Sequence, residues 1–289
     1  MTVKTRIEHA LHAALARAAG DGAPPRLATA MRHAVFPPGA RLRPRLCLAV
    51  AAACGEDRPA LTDAAAAAIE LLHCASLVHD DLPCFDDAPV RRGKPTIHMA
   101  FDEPLAVLTG DALIVLAFEA VGRAGAAAPE RLAALVTTIG RSVGMPGGIV
   151  AGQAWESEPS APLADYQRAK TGALFAGATM AGAAAAGAES RPWRALGELL
   201  GEAYQVVDDI RDVTARPDDV GKPTGRDEAL GRPNAALQLG LEGALARLDE
   251  LLVRALVAIP GCPGAVELKA LLRTEAVRFL PRELAQRAA

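Results

Sequence analysis

Two groups of aspartates carry the chemistry that this sequence offers. The first lies in "SLVHDDLPCFDD", which sets Asp80, Asp81, Asp86 and Asp87 within eight residues. Like charges this dense repel one another and are costly to hold together unless a cation sits among them. The second lies in "GEAYQVVDDIRDV", where Gln205, Asp208, Asp209 and Asp212 stand at i, i+3, i+4 and i+7 and so share one helix face. Aspartate is a poor helix former, and only Arg211, pointing elsewhere, interrupts the acids. Carboxylates in such number suit Mg2+, a hard cation that normally also holds substrate phosphates. Basic groups of the kind a phosphate needs follow both sets. Arg91, Arg92 and Lys94 stand in "DDAPVRRGKPT", Lys170 and Thr171 in "YQRAKTGALF", and Lys222 in "DDVGKPTGRD". There is no P-loop and no GxGxxG to cradle a nucleotide. The six histidines show no HExxH and no clustering with cysteine, which argues against zinc.

The elements that must position these residues are helical. Hydrophobic residues make up 51% of the 289, but aromatics only 3%, and much of the apolar total is alanine. Alanine is the best helix former and a poor filler of sheet cores, so the composition predicts an all-α protein with closely approaching helices. Apolar periodicity and punctuation place helices at 4–19, 40–54, 62–82, 104–122, 129–155, 163–187, 192–214, 234–258 and 263–280. "AGAAAAGA" marks a tight helix crossing, and no run alternates as a strand. Pro83 ends the first acidic helix, so Asp80 and Asp81 occupy its last turn, where they oppose the macrodipole, and the loop brings Asp86 back to them. The second acidic helix turns Tyr204, Val206, Val207, Ile210 and Val213 to its other side. With no linker, repeat or composition shift, residues 1–289 read as a single domain.

Thirty-one basic against 34 acidic side chains give a net charge of −3, and nothing global suggests a nucleic-acid partner. The N-terminus lacks the apolar core of a signal peptide. The most apolar segment, "PLAVLTGDALIVLAFEAV", carries Asp111 and Glu119, which argues against a membrane span. The five cysteines show no CxxC pair and no zinc-like spacing, and their odd count reads as reduced thiols in a cytoplasmic protein.

The motifs resemble those of the trans-isoprenyl diphosphate synthases. "HDDLPCFDD…RRGKPT" looks like the family's first aspartate-rich motif in its DDxxxxD bacterial form, and "QVVDDIRD…GKPTGRD" like the second, DDxxD. "PGARLRP", "LTGDAL", "GIVAGQAWE" and "AKTGALF" fall in the family's order, so the resemblance covers about residues 35–235. It is strongest to the geranylgeranyl diphosphate synthases of bacterial carotenoid pathways.

The resemblance implies a homodimer of mostly antiparallel helices around a central cavity. The implied reaction is head-to-tail condensation of isopentenyl diphosphate with an allylic diphosphate, feeding carotenoid and (bacterio)chlorophyll isoprenoids. It makes Asp80, Asp81, Asp86, Asp208, Asp209 and Asp212 ligands of Mg2+, three ions per site. Arg91, Lys170 and Lys222 would hold the allylic diphosphate, with Thr171 and Gln205 nearby. Arg43, His73 and Arg92 would form the isopentenyl diphosphate site, and His79 would be structural. Ala75 lies five residues before Asp80, about 7.5 Å deeper at 1.5 Å per residue. In the family a bulky aromatic there stops growth at farnesyl, so Ala75, with Ser76 beside it, implies a longer product. Should Ala75 not be the floor, the helix carrying Leu113, Val115 and Leu116 is the alternative.

The chain departs from the family at three points. Ala40 stands where GGKRxRP has lysine, with Arg41 and Arg45 as possible substitutes; Arg211 replaces an apolar residue within DDxxD; and Arg232 stands in "GRPNA" for the usual lysine. The competing readings are a farnesyl or longer-chain synthase, a non-catalytic subunit that tunes a partner synthase, and a class I terpene cyclase. The subunit would typically lose one acidic motif, and the cyclase needs an Asn/Ser/Glu motif that is not found here.

Overall fold

The computed structural model describes residues 2–36, 39–158, 168–214 and 234–279. In chain order the helices are α1 (Val3–Ala18), α2 (Pro25–Val35), α3 (Leu42–Ala53), α4 (Pro59–Asp80), α5 (Ile97–Ala100), α6 (Glu103–Gly125), α7 (Pro129–Val143) and α8 (Ile149–Ala154). A π-helical turn (Arg168–Gly172) leads into α9 (Ala173–Ala185), followed by α10 (Arg194–Thr214), α11 (Ala235–Val257) and α12 (Ala265–Phe279). The expected all-α architecture is what is observed.

Two expectations are corrected. Residues 25–35, outside every expected helix, form α2, because Pro25 occupies the first turn, where a missing N–H costs nothing. The helix expected over 129–155 is interrupted after Val143 by "GMPGG", and α8 resumes only at Ile149. One small hairpin also occurs: β1 (Val90–Arg91) pairs antiparallel with β2 (Lys94–Pro95). Arg92 and Gly93, both with positive φ (53° and 73°), make its two-residue turn.

The core is organised around α4, which packs against α1, α2, α3, α6, α7 and α9. Being apolar on nearly every side, α4 must be covered on nearly every side. Ile69, Leu71, Leu72, Cys74 and Ala75 are all buried, against Leu113 and Leu116 of α6 and Leu135 and Ile139 of α7 in one cluster. Both α4 and α6 are long and apolar enough to cross a membrane by length and composition; the apolar window of α4 is 72% buried inside the protein and that of α6 44%. The alanine-rich α9 makes the expected close crossing, since a Cβ at Gly182 would strike the Cys47 carbonyl of α3. A separate cluster of Val206, Val207 and Ile210 with Ala236, Leu248 and Leu251 fixes α10 on α11. Val213, expected on that apolar side, is exposed. All five cysteines are free, and burial pushes the Cys47 and Cys74 thiols up to about 12, far from reactive thiolates.

Candidate active site

The loop after α4 folds back toward Asp80 as the sequence requires. Asp80 is the last residue of the helix and Asp81 its cap, and the Asp86 amide donates to the Asp80 carbonyl at 3.0 Å, which folds the loop back. The hairpin turns Arg91 onto them. Its Nε donates to both Asp81 oxygens at 2.7 and 2.8 Å, and a terminal nitrogen lies 3.8 Å from Asp80 Oδ2. Burial pushes the Asp81 carboxyl above its ordinary value, with Asp80 and Asp86 adding repulsion, although Arg91 pulls it down. Burial alone would lower Arg91, but the Asp81 hydrogen bond and the three surrounding carboxylates hold it raised.

On α10 the acids have different surroundings. Asp208 and Asp212 are half-buried, whereas Asp209 is only 3% exposed. Asp209 accepts from Gln205 Nε2 at 2.9 Å on one oxygen and from the Ala235 amide at 2.8 Å on the other. Gln205 in turn accepts from Thr171 Oγ1 at 3.1 Å. Asn234 caps α11, its Oδ1 accepting from the amides of Ala236 and Leu237, while its Nδ2 reaches the Asp209 carbonyl at 3.4 Å. The orphan N–H groups opening α11 are thus met by Asp209 and Asn234, and a carboxylate there is favoured by the helix dipole. The π turn carrying Thr171 packs against both α8 and α10. Because α8 carries Gln153, which bonds Asp80, the two acidic clusters are linked through these elements.

The third group surrounds Arg43. Its guanidinium lies 4.5 Å from the Phe175 ring centroid and 5.8 Å from that of Tyr204, and donates to His73 Nε2 at 3.4 Å. Its Nε is buried without a hydrogen-bond partner, an orphan donor of the kind that marks a ligand site. The Arg92 guanidinium lies against Gly39, so a side chain there would have to displace it. Burial, then Arg43, Arg92, Arg91 and Arg41, hold His73 well below the usual histidine range, so it is neutral near pH 7 and can accept from Arg43.

The unfolded chain, with histidine near 6.5, therefore takes up a proton on acidification that folded His73 resists. Stability falls as pH drops below about 6.5, and the loss continues until the folded value is passed. A melting series from about pH 7.5 to 5.5 checks this: Tm should fall toward acid, and His73→Gln should shrink that fall. An equal fall in both proteins would contradict it.

Neither proposed substitute for the lysine absent at Ala40 faces this group. Arg41, itself left-handed (φ 52°), is 5% exposed and is tied to Glu8 at 3.0 Å, Glu70 at 2.6 Å and the Val35 carbonyl. Arg45 pairs with Glu275 at 2.7 Å. His79 lies against Gly110 and its Nε2 is 3.2 Å from the Val107 carbonyl, a contact that joins α4 to α6. Ala75 is buried in the main core cluster, and Ser76, half-buried, donates to the His73 carbonyl. Of the alternative floor residues, Leu113 and Leu116 face the core, but Val115 is 66% exposed and points away. Lys222, Arg232 and the side chain of Lys170 lie outside the described residues.

Sequence reasoning missed Gln153, Phe175, Tyr204 and Asn234. Gln153 and Phe175 stand within the motifs "GIVAGQAWE" and "AKTGALF" without a role read for them, and Asn234 had a local signal, a capping residue before an apolar run. The other three matter through contacts between distant helices.

The donor set fits Mg2+. Among the described residues no group of three or more metal-binding side chains converges on one point. Mg2+ is usually held by one or two carboxylates with substrate phosphates rather than by a protein cage, and carboxylates on α4 and α10, with Arg91 beside those of α4, suit that mode.

Known proteins share this design. The polyprenyl synthetase family profile matches residues 24–257. A geranylgeranyl diphosphate synthase of Cereibacter sphaeroides is 56% identical over 287 residues, covering 99% of this chain and all of that protein. One from Rhodobacter capsulatus is 50% identical, covering 97% of each. The solved geranyltransferase of Helicobacter pylori, complexed with magnesium and isoprenyl diphosphate, superposes with a TM-score of 0.77 at 29% identity, covering 96% of this chain and 98% of that one. With the match running from α2 to the end of α11 and spanning both aspartate clusters, the chain belongs to the polyprenyl synthetase family.

Proposed function

We propose that this protein is a geranylgeranyl diphosphate synthase, a prenyltransferase that adds isopentenyl diphosphate head-to-tail to an allylic diphosphate. The observation that carries this reading is the pair of aspartate clusters on α4 and α10, the first with Arg91 beside it, in a chain matched end to end by two synthases of that product. The product would feed carotenoid and chlorophyll-type isoprenoids.

Asp80, Asp81 and Asp86 with Asp208, Asp209 and Asp212 are the residues proposed to hold Mg2+, three ions in all. Asp81 and Asp209 would each exchange a protein donor, Arg91 or the Ala235 amide, to do so. When bound, Mg2+ supplies neutralisation of the charge that builds on the departing diphosphate. Arg91, Lys170 and Lys222 are proposed to bind that diphosphate, with Thr171 and Gln205 turning their dipoles toward the allylic carbon. Arg43, His73 and Arg92 are proposed to bind isopentenyl diphosphate, the orphan Arg43 Nε gaining a partner there. The C–O bond of the allylic substrate breaks, the isopentenyl double bond attacks the allylic carbon, and the released diphosphate accepts the proton then lost. No protein base is needed, in keeping with a neutral His73 that serves as an acceptor.

A second copy of the chain is the proposed partner. The outer face of α6 leaves Val107, Leu108 and Val115 exposed around Asp111, a largely apolar face that a homodimer would cover.

The function is tested by metal removal. Condensation should stop in EDTA and return with Mg2+; near-normal turnover in EDTA would refute it.

The exposed Ala40 supplies a further prediction. If the missing lysine weakens isopentenyl diphosphate binding, Ala40→Lys adds a charge-assisted bond worth roughly 1.5–3 kcal/mol when well aligned. The KM for isopentenyl diphosphate should then fall by about tenfold or more while that of the allylic substrate stays nearly constant. Steady-state kinetics with each substrate varied in turn checks the split.

A further inference from the structure

One side chain beside the α4 aspartates has no part in the mechanism above. Gln153, on α8, directs its Nε2 to Asp80 Oδ1 at 2.9 Å and to Glu156 Oε2 at 2.9 Å. An amide nitrogen carries two protons, so both bonds can form together, and an amide oxygen in the same place would face two carboxylates. Its orientation is therefore set by chemistry.

We infer that Gln153, held from behind by Glu156, is a positioning residue that aims the Asp80 carboxylate. The need for one follows from where Asp80 sits. It ends α4, opposed by the helix dipole, with Asp81 and Asp86 beside it. Arg91, paired with Asp81 at 2.6 Å, lies 3.8 Å from Asp80 Oδ2 and attracts it from that side. Gln153 holds the opposite oxygen and so keeps Asp80 from rotating fully onto Arg91. A neutral donor does this without cancelling the charge that a metal–diphosphate complex would meet. Glu156 takes the second amide proton and fixes the direction of the first. This inference rests on the prenyltransferase reading, because it assigns Asp80 to a metal.

The test is a binding titration that needs no turnover. Mn2+, with inorganic diphosphate present, is titrated into the wild type and Gln153→Met, which keeps length and bulk but loses the donor, and free Mn2+ is read by electron paramagnetic resonance. Loss of a partner that orients a metal ligand costs about 10–100-fold in affinity, so half-saturation should rise by about tenfold or more with Tm nearly unchanged. Half-saturation within about twofold of wild type would overturn the inference. Should Gln153→Met fail to fold, the exposed Glu156 serves instead. Glu156→Ala should weaken Mn2+ while Glu156→Gln, which keeps an acceptor, stays close to wild type; wild-type affinity in both would also overturn it. If the wild type itself bound no Mn2+ with diphosphate, the prenyltransferase reading would fail instead, which separates the two.

Discussion

Asp80→Asn should lower kcat by about a thousand-fold or more, equivalent to ~4 kcal/mol in the barrier, without unfolding the protein. Asparagine keeps the size of Asp80 and an oxygen that can accept from Gln153 Nε2, so the local scaffold survives. What disappears is a negative charge shared with Asp81 and Asp86. Removing one of three neighbouring carboxylates relieves the repulsion that helps to raise Asp81, so Tm should not fall. The loss belongs to the transition state, where neutralising the departing diphosphate is the largest contribution that the site can make. Asp208→Asn on α10 should cost a similar factor. The double variant should lose far less than the product of the two, because residues acting on one shared cluster are not additive. Single-turnover kinetics at saturating Mg2+ measures this; turnover within about tenfold of wild type in either variant would show that the residue does not hold the metal.

Ala75→Phe should move the main product from twenty carbons to fifteen while condensation continues. Ala75 is 1% exposed, in the same cluster as Leu72, Leu113 and Leu116. A phenyl ring there must take space along the α4–α6 contact, on the helix that ends in the aspartates proposed to hold the metal. The space it takes is what the last isoprene unit would occupy. Overpacking a formed core costs about 1–3 kcal/mol, so a lower Tm should accompany the change. Product chromatography from geranyl diphosphate reads the result. An active variant that still makes mainly the twenty-carbon product would move the floor to Leu113 or Leu116, since Val115 points away from the core.

What the sequence revealed was what is local. The spacing of Asp208, Asp209 and Asp212 placed them near one helix face, and Pro83 correctly ended α4 beside Asp80 and Asp81. The alanine-rich α9 was read correctly as a close crossing for the same reason, because small residues permit only that packing. Proline and glycine misled twice in opposite directions. No helix is expected between residues 19 and 40, yet Pro25 opens α2 there, and the apolar periodicity of 129–155 ran through "GMPGG" without signalling the gap between α7 and α8.

The contacts that tune the site were not legible because they are long-range. Gln153 meets Asp80 from 73 residues away, and Arg43 stacks on Phe175 and Tyr204 only because α3, α9 and α10 meet. The sequence also could not tell Asp208 from Asp209. Their types are identical, and the position of α11 is what adds the Ala235 amide to the Gln205 donor that Asp209 has on its own helix.

The central claim is tested most directly by the length of the product. Purified protein is incubated with Mg2+, labelled isopentenyl diphosphate and farnesyl diphosphate, and the products are dephosphorylated and separated by chain length. A single addition giving geranylgeranyl diphosphate as the main product is the result predicted. No incorporation of label, or a main product extended well past twenty carbons, would contradict it.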